Sequence, residues 1–76
     1  MATKSKASEL HVKAAQHHET AANHHKEAAK ALDAGKPEQA ADHAQVAHGN
    51  LAHATDLTAA AAKEHAASSP SVAKAA

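Results

Sequence analysis

Nine histidines are the residues in this chain whose type and number could do chemistry. Neutral imidazole binds zinc, copper(II) and nickel, whereas thiolate and thioether ligands select copper(I). Because the chain has no cysteine and only one methionine, it favours a divalent transition metal, copper(II) first and zinc or nickel as alternatives. The candidate metal ligands are His11, His17, His18, His24, His25, His43, His48, His53 and His65.

The spacing of the histidines decides how they could share a metal ion. The motif Ala-Ala-x-His-His occurs at 14–18 and again at 21–25. Two ligands on one helix are neighbours only when they are three or four residues apart, and no two histidines have that spacing. The same-helix pairs that do have it are mixed, namely His24 with Glu27 and His53 with Asp56. A site with several histidines must therefore be built between helices.

Two helices and a short turn are the elements that would position these side chains. Alanine, the most helix-favouring residue, dominates the chain together with other strong helix formers. Gly35 suits the left-handed position after a helix, and Pro37 suits the first position of the next one. We therefore predict an all-α antiparallel two-helix hairpin. Its parts are a flexible N-terminus at 1–5, helix 1 at 6–34, a turn at 35–36, helix 2 at 37–67 and a disordered tail at 68–76.

A projection at about 100° per residue assigns the histidines of helix 1 to its faces. His11, His18 and His25 fall in the middle of an apolar face, and His17 and His24 lie at its border. The second histidine of each doublet is thus predicted to point inward and the first to lie at the rim. The other residues of the predicted inner face are Leu10, Ala14, Ala15, Ala21, Ala22, Ala28, Ala29 and Leu32.

The same projection gives an inner stripe on helix 2. His43 and His65 fall within this stripe, and His48 and His53 flank it on opposite sides. The stripe is otherwise made of Ala40, Ala44, Ala47, Leu51, Ala54, Thr58 and Ala61, with Val46 and Leu57 beside it.

Heights along an antiparallel hairpin predict which histidines come together. With a turn near Gly35, residues whose numbers sum to about 72 lie at the same height, given the rise per residue of an α-helix. The predicted clusters are His25 with His43 and His48, His18 with His53, and His11 with His65.

Metal ions bind unprotonated imidazole, so the affinity of these clusters for metal should fall as the pH drops through the ordinary imidazole pKa of about 6.5.

Large apolar side chains are scarce in this chain. It has 76 residues, no aromatic residue and an apolar content that is mostly alanine. Burying a leucine or valine contributes roughly 1.5–3 kcal/mol, and an alanine methyl contributes well under half of that. For a single chain of this kind, the free energy of folding is close to zero, so we expect a bound metal or a second copy to stabilise the folded state. The simplest such assembly is a homodimer that forms a four-helix bundle.

Charge and composition argue against several other functions. Eight basic and eight acidic residues are interspersed, and no aromatic side chain can stack on bases, so nucleic-acid binding is not expected. No stretch is apolar enough to span a membrane and no secretory signal is visible, so we expect a cytoplasmic protein, or a periplasmic one if the chain is a processed form. Without bulky residues to build a pocket or a cysteine nucleophile, an enzyme is not expected either.

Single histidines followed by alanine recur in the second half of the chain. The segments are His43-Ala44-Gln45-Val46-Ala47, His53-Ala54-Thr55-Asp56-Leu57 and His65-Ala66. This pattern resembles the small metal-binding protein family, whose members are short, cysteine-free, alanine-rich bacterial proteins built from histidine-containing heptads. The resemblance covers most of residues 11–66. It implies a helical bundle that binds several divalent ions, copper above all, for buffering or scavenging.

A structural role is the alternative interpretation. Two hairpins would dimerise through their alanine faces, and the inward histidines would act as polar spacers or as a pH switch. Titration of copper(II), nickel and zinc into the metal-free protein discriminates between the two. Tight binding with matched thermal stabilisation is expected only if the histidines are ligands.

Overall fold

The computed structural model describes residues 5–68, which form two α-helices packed against each other. Helix α1 spans Lys6–Asp33 and helix α2 spans Pro37–Ser68. The predicted helical hairpin is confirmed, and each helix ends within one residue of the predicted limit. Ser68, which was predicted to begin the tail, is the last residue of α2. The rest of the predicted tail and residues 1–4 lie outside the described residues.

Helix α1 begins at a serine cap. The Ser5 hydroxyl accepts a hydrogen bond of 3.1 Å from the backbone N–H of Ser8. This bond satisfies one of the backbone donors that the first turn of a helix leaves without a partner. Ser5, which was predicted to belong to a flexible N-terminus, is therefore the N-cap of α1.

The turn between the helices is a Schellman motif with Gly35 at its left-handed position. Gly35 has a φ of 73°, a region that L-residues with a Cβ atom rarely adopt. Its N–H donates to the carbonyl of Leu32 at 3.0 Å, and the N–H of Lys36 donates to the carbonyl of Ala31 at 2.8 Å. Pro37, which has no N–H to leave unpaired, follows as the first residue of α2. The turn thus reverses the chain in three residues and makes the helices antiparallel.

The core between the helices consists of alanine alone among the residues described. Alanines repeat every seven residues on each helix, and their small side chains allow the two helices to pack closely. On α2, the stripe predicted from the sequence includes all four of the alanines that are buried. No polar or charged residue within 5–67 is buried. The buried residues are Ala14, Ala21, Ala28 and Ala31 on α1, and Ala40, Ala47, Ala54 and Ala61 on α2.

A second row of half-buried side chains runs beside the alanines. Its members alternate with the buried alanines at steps of three and four residues, which is the heptad pattern of a coiled coil. The row therefore lies along one edge of the helix interface, partly open to solvent. We call it the edge row, and its residues are Leu10, His17 and His24 on α1, and His43, Asn50, Leu57 and Glu64 on α2.

The predicted inner face of helix 1 was correct for the buried Ala14, Ala21 and Ala28 and for the half-buried Leu10, but its centre was displaced by about one residue position. Leu32 is 61% exposed, and Ala15, Ala22 and Ala29 are exposed as well. A heptad repeat has a period of 3.5 residues, so a straight projection with 3.6 residues per turn drifts by about 20° in each heptad. The projection also gave weight to leucine, whereas the close approach of two helices selects the smallest side chain. On helix 2, Ala44, Leu51 and Thr58 are likewise exposed.

Within residues 5–68, neither helix has a stretch that is long and apolar enough to cross a membrane.

Candidate metal centre

The histidines nearest the open ends of the helices face each other across the hairpin. The Nε2 atoms of His11 and His65 are 2.9 Å apart, and their ring centroids are 5.2 Å apart. Both residues are exposed, and each follows an edge-row residue by one position. This is the pairing that matching heights predicted, although His11 does not lie in the middle of a buried face.

A second pair lies close to the turn. The Nδ1 atoms of His24 and His43 are 2.9 Å apart, with ring centroids 5.2 Å apart. Both residues belong to the edge row and are half-buried. The predicted cluster of His25 with His43 and His48 is therefore wrong in two of its three members, because His24 takes the place assigned to His25 and the exposed His48 does not join the pair.

The middle of the hairpin brings together two histidines and an asparagine. The rings of His17 and His53 are stacked, with centroids 5.1 Å apart and an angle of 26° between the planes. Nδ1 of His17 also lies 2.8 Å from Oδ1 of Asn50. The predicted partner of His53 was His18, but the structure places His17 there.

The second histidine of each doublet points away from the helix interface. His18 and His25 are exposed, whereas His17 and His24 are half-buried, which reverses the predicted orientation. Neighbouring positions on a helix differ by about 100°, so a displacement of the inner face by about one residue exchanges the two members of a doublet. His48 is exposed too, and among the described residues none of these three outer histidines makes a side-chain hydrogen bond or a ring contact.

The structure therefore has three cross-helix histidine pairs, of which one was predicted and two differ from the predicted clusters in their α1 member. Each pair joins one residue of α1 to one of α2, as the absence of same-helix pairs required. Their members are His11 with His65, His17 with His53, and His24 with His43.

The separation of the facing nitrogens determines what these pairs can hold. Without a metal, one ring nitrogen donates its hydrogen to the lone pair of the other. A metal–nitrogen distance of about 2.05 Å places two neighbouring ligand nitrogens about 2.9–3.3 Å apart. The 2.9 Å in the His11–His65 and His24–His43 pairs is the length of this hydrogen bond, so a bound ion would need only a small adjustment of the two rings.

Each cross-helix pair offers two protein ligands. Within residues 5–68, no group of three or more histidine, aspartate or glutamate side chains could together hold a metal ion. Glu27, the predicted same-helix companion of His24, forms an ion pair of 3.4 Å with Lys30. Glu64, beside His65, lies 3.7 Å from Lys6. A metal bound by a pair would thus keep open coordination positions for water or another ligand.

Asn50 is the residue of this region that the sequence analysis missed. It lies seven residues after His43 and so occupies the same row of α2. The sequence contains this heptad relationship, but it predicts the position of Asn50 only if the alanines that repeat every seven residues are assigned to the helix interface.

Comparison of the chain with protein-family models, with curated proteins and with solved structures finds no match. The resemblance to small metal-binding proteins stays a prediction that rests on the residues quoted above. The function is accordingly inferred from the geometry of the cross-helix histidine pairs.

Proposed function

We propose that this protein reversibly binds divalent transition metals through its cross-helix histidine pairs, for buffering, storage or scavenging. The observation that carries the proposal is the approach of two ring nitrogens to 2.9 Å in the His11–His65 and His24–His43 pairs. Neutral imidazole is a good ligand for these metals, and a hairpin presents the two rings from separate helices. The proposed activity is binding without catalysis.

Copper(II) is the metal that we expect to bind most tightly, because it has the highest affinity of the divalent first-row metals for nitrogen ligands. Copper(II) and nickel both accept square-planar or tetragonal arrangements, in which neighbouring ligands stand at a right angle. Structural zinc sites are almost always tetrahedral with four protein ligands. A pair that offers only two protein ligands therefore suits copper(II) and nickel better than it suits a structural zinc ion.

The pairs are far enough apart to bind separate ions. His17 and His24 are one heptad apart, which corresponds to about 10 Å along a helix. Metal ions in a two-metal site are only about 3.5–4 Å apart, so the pairs cannot form such a site. We propose a capacity of up to three ions per chain.

A second copy of the chain would complete this assembly. Four large apolar side chains are exposed on the single hairpin, with 61% exposure for Leu32, 47% for Val12 and 44% each for Val46 and Leu51. Covering them in a homodimeric four-helix bundle would add apolar burial that an alanine core lacks. Sedimentation equilibrium of the metal-free protein tests this, and a monomer at high concentration contradicts it.

The cytoplasmic location expected from the sequence also stays a prediction, which cell fractionation would test.

The structural alternative has its own supporting observation. In each close pair the rings already satisfy each other by a hydrogen bond, so they could serve only to fix the register of two alanine-rich helices. Acidification would then place two imidazolium rings face to face and open the hairpin, with no role for metal.

Titration of metal-free protein with copper(II), nickel and zinc decides between these functions. The metal proposal expects micromolar or tighter copper(II) binding, a stoichiometry above one, and a melting temperature that rises with metal concentration. Zinc should bind more weakly than copper(II). Absence of copper(II) binding at neutral pH would reject the proposal and leave the structural role.

A further inference from the structure

The side chain of Asn50 is hydrogen-bonded at both ends of its amide group. Its Nδ2 donates to the backbone carbonyl of Val46, one helical turn earlier, at 3.0 Å. Its Oδ1 lies 2.8 Å from Nδ1 of His17 on the other helix. The backbone carbonyl of Val46 can only accept a hydrogen bond, so the end of the Asn50 amide that faces it must be Nδ2. The other end, Oδ1, is therefore the one that faces His17.

The orientation of Asn50 also decides where His17 carries its proton. An amide oxygen is an acceptor only, so Nδ1 of His17 must be the donor. A neutral imidazole has one N–H, which leaves Nε2 of His17 with its lone pair. Hydrogen bonds from the non-ligating nitrogen of a histidine fix the ring and its tautomer in metal sites generally.

We infer that Asn50 is a positioning residue that holds His17, beside the stacked ring of His53, with Nε2 ready to bind a divalent transition metal ion. This inference rests on the proposed function and deepens it for the middle pair. It also separates that pair from the His24–His43 pair. His24 and His43 face each other through Nδ1, and no amide within the described residues assigns the proton to either ring.

A purely structural role for Asn50 predicts different behaviour from a positioning role. An asparagine in a coiled-coil row can simply specify register. Asn50→Leu removes the hydrogen bond and places in this row a residue type that it already contains at Leu57. Asn50→Asp keeps an oxygen acceptor for the Nδ1–H of His17 and serves as the conservative variant.

Nitrogen-15 NMR of the imidazole rings in the full metal-free chain tests the proton assignment. At a pH where the rings are neutral, we expect His17 in the wild type and in Asn50→Asp to carry its proton on Nδ1. In Asn50→Leu, the signals should move toward the Nε2–H tautomer. A wild-type His17 with its proton on Nε2, or no change in Asn50→Leu, would overturn the inference.

Copper(II) titration of the same three proteins tests the metal role. Loss of such an orienting partner typically weakens metal affinity about 10- to 100-fold, which is the effect expected in Asn50→Leu at one of the sites. Asn50→Asp should retain the affinity, and substoichiometric copper(II) should broaden the ring signals of His17 and His53 in the wild type. Unchanged copper(II) affinity in Asn50→Leu would contradict the positioning role. If the wild type binds no copper(II), the proposed function and the ligand role of His17 both fall, while the proton assignment is still decided by NMR.

Discussion

His24 on α1 and His43 on α2 place their Nδ1 atoms 2.9 Å apart across the hairpin, while His25 faces away from α2. Two histidines that are adjacent in the chain are thus in different environments. This difference provides a matched pair of positions for testing which histidines bind metal.

His24→Ala should remove one copper(II) ion from the binding stoichiometry, because His43 alone cannot chelate. We expect at least about a tenfold loss of affinity at that site, since loss of a ligand exceeds loss of an orienting partner. His25→Ala is the control and should leave both quantities unchanged. Isothermal titration calorimetry measures both, and equal behaviour of the two variants would contradict the assignment of ligands.

Metal affinity should fall as the solution is acidified. Each pair must offer two unprotonated nitrogens, so protons compete with the ion at both rings. Where both rings are protonated in the absence of metal, the apparent copper(II) affinity of a pair should therefore fall by up to about a hundredfold per pH unit. Titrations between about pH 5 and pH 8, the range in which imidazole generally changes its charge, measure the slope. An affinity that does not depend on pH would exclude imidazole ligands.

The two glycines should respond oppositely to replacement by alanine. Gly35 has a φ of 73°, so Gly35→Ala forces a Cβ atom into the left-handed region and should destabilise the hairpin by about 1–2 kcal/mol. Gly49 lies within α2, and a Cβ atom added there would meet nothing within 4 Å. Gly49→Ala should therefore stabilise the protein by about 1 kcal/mol.

Urea unfolding followed by circular dichroism compares these two variants. Shifts of the midpoint in the same direction would show that the turn does not depend on the left-handed conformation of Gly35. The Gly49 variant also tests whether the helix around Asn50 tolerates a stiffer backbone without loss of copper(II) binding.

Ala47→Leu should disrupt the interface between the helices. Ala47 is 0% exposed, and a larger side chain would force the helices apart at a cost of about 1–3 kcal/mol. Ala52 is exposed on the same helix, so Ala52→Leu is a control with the same change in composition. The free energy of unfolding and the copper(II) stoichiometry should both fall for the first variant only. Equal stability of the two would argue against a closely packed alanine interface.

The helices and the turn were predictable because their signals are local. Alanine favours a helix wherever it stands, and the Gly35-Lys36-Pro37 sequence ends one helix and begins another through backbone conformation alone. These preferences do not depend on what the helix packs against. For this reason the limits of α1 and α2 agree with the prediction to within one residue.

The inner face was harder to predict because alanines surround the helix. Ala14 and Ala15 are identical in type, yet Ala14 is buried and Ala15 is exposed. With so little contrast in hydrophobicity, Leu32 had too much influence on the projection. Packing against the partner helix determines which face is buried, because only one row of alanines on each helix allows the two backbones to approach closely. The buried face in turn determines which histidine of each doublet lies at the interface.

Pairing by height was more successful than assignment by face. Position along a helix depends only on the rise per residue and on the place of the turn, both of which the sequence supplies. His11 therefore met its predicted partner His65, and His43 and His53 met histidines of the expected doublets. To predict the contact of Asn50 with His17, both the position of each residue along its helix and the face on which it lies must be known. The contact was missed because the predicted inner face of helix 1 was displaced.

The core made only of alanine has a consequence for how long a copy of this protein lasts. The eight side chains that are fully buried at the interface in the described part of the chain are all alanines, so opening it costs less free energy than opening a core of large side chains. Proteases cut the opened form, and when opening is fast the rate of cutting follows how often that form is populated. An ion held between the helices makes opening rarer by mass action. On the proposed function, degradation would therefore select empty copies and spare loaded ones, so the amount of protein present would follow the supply of metal.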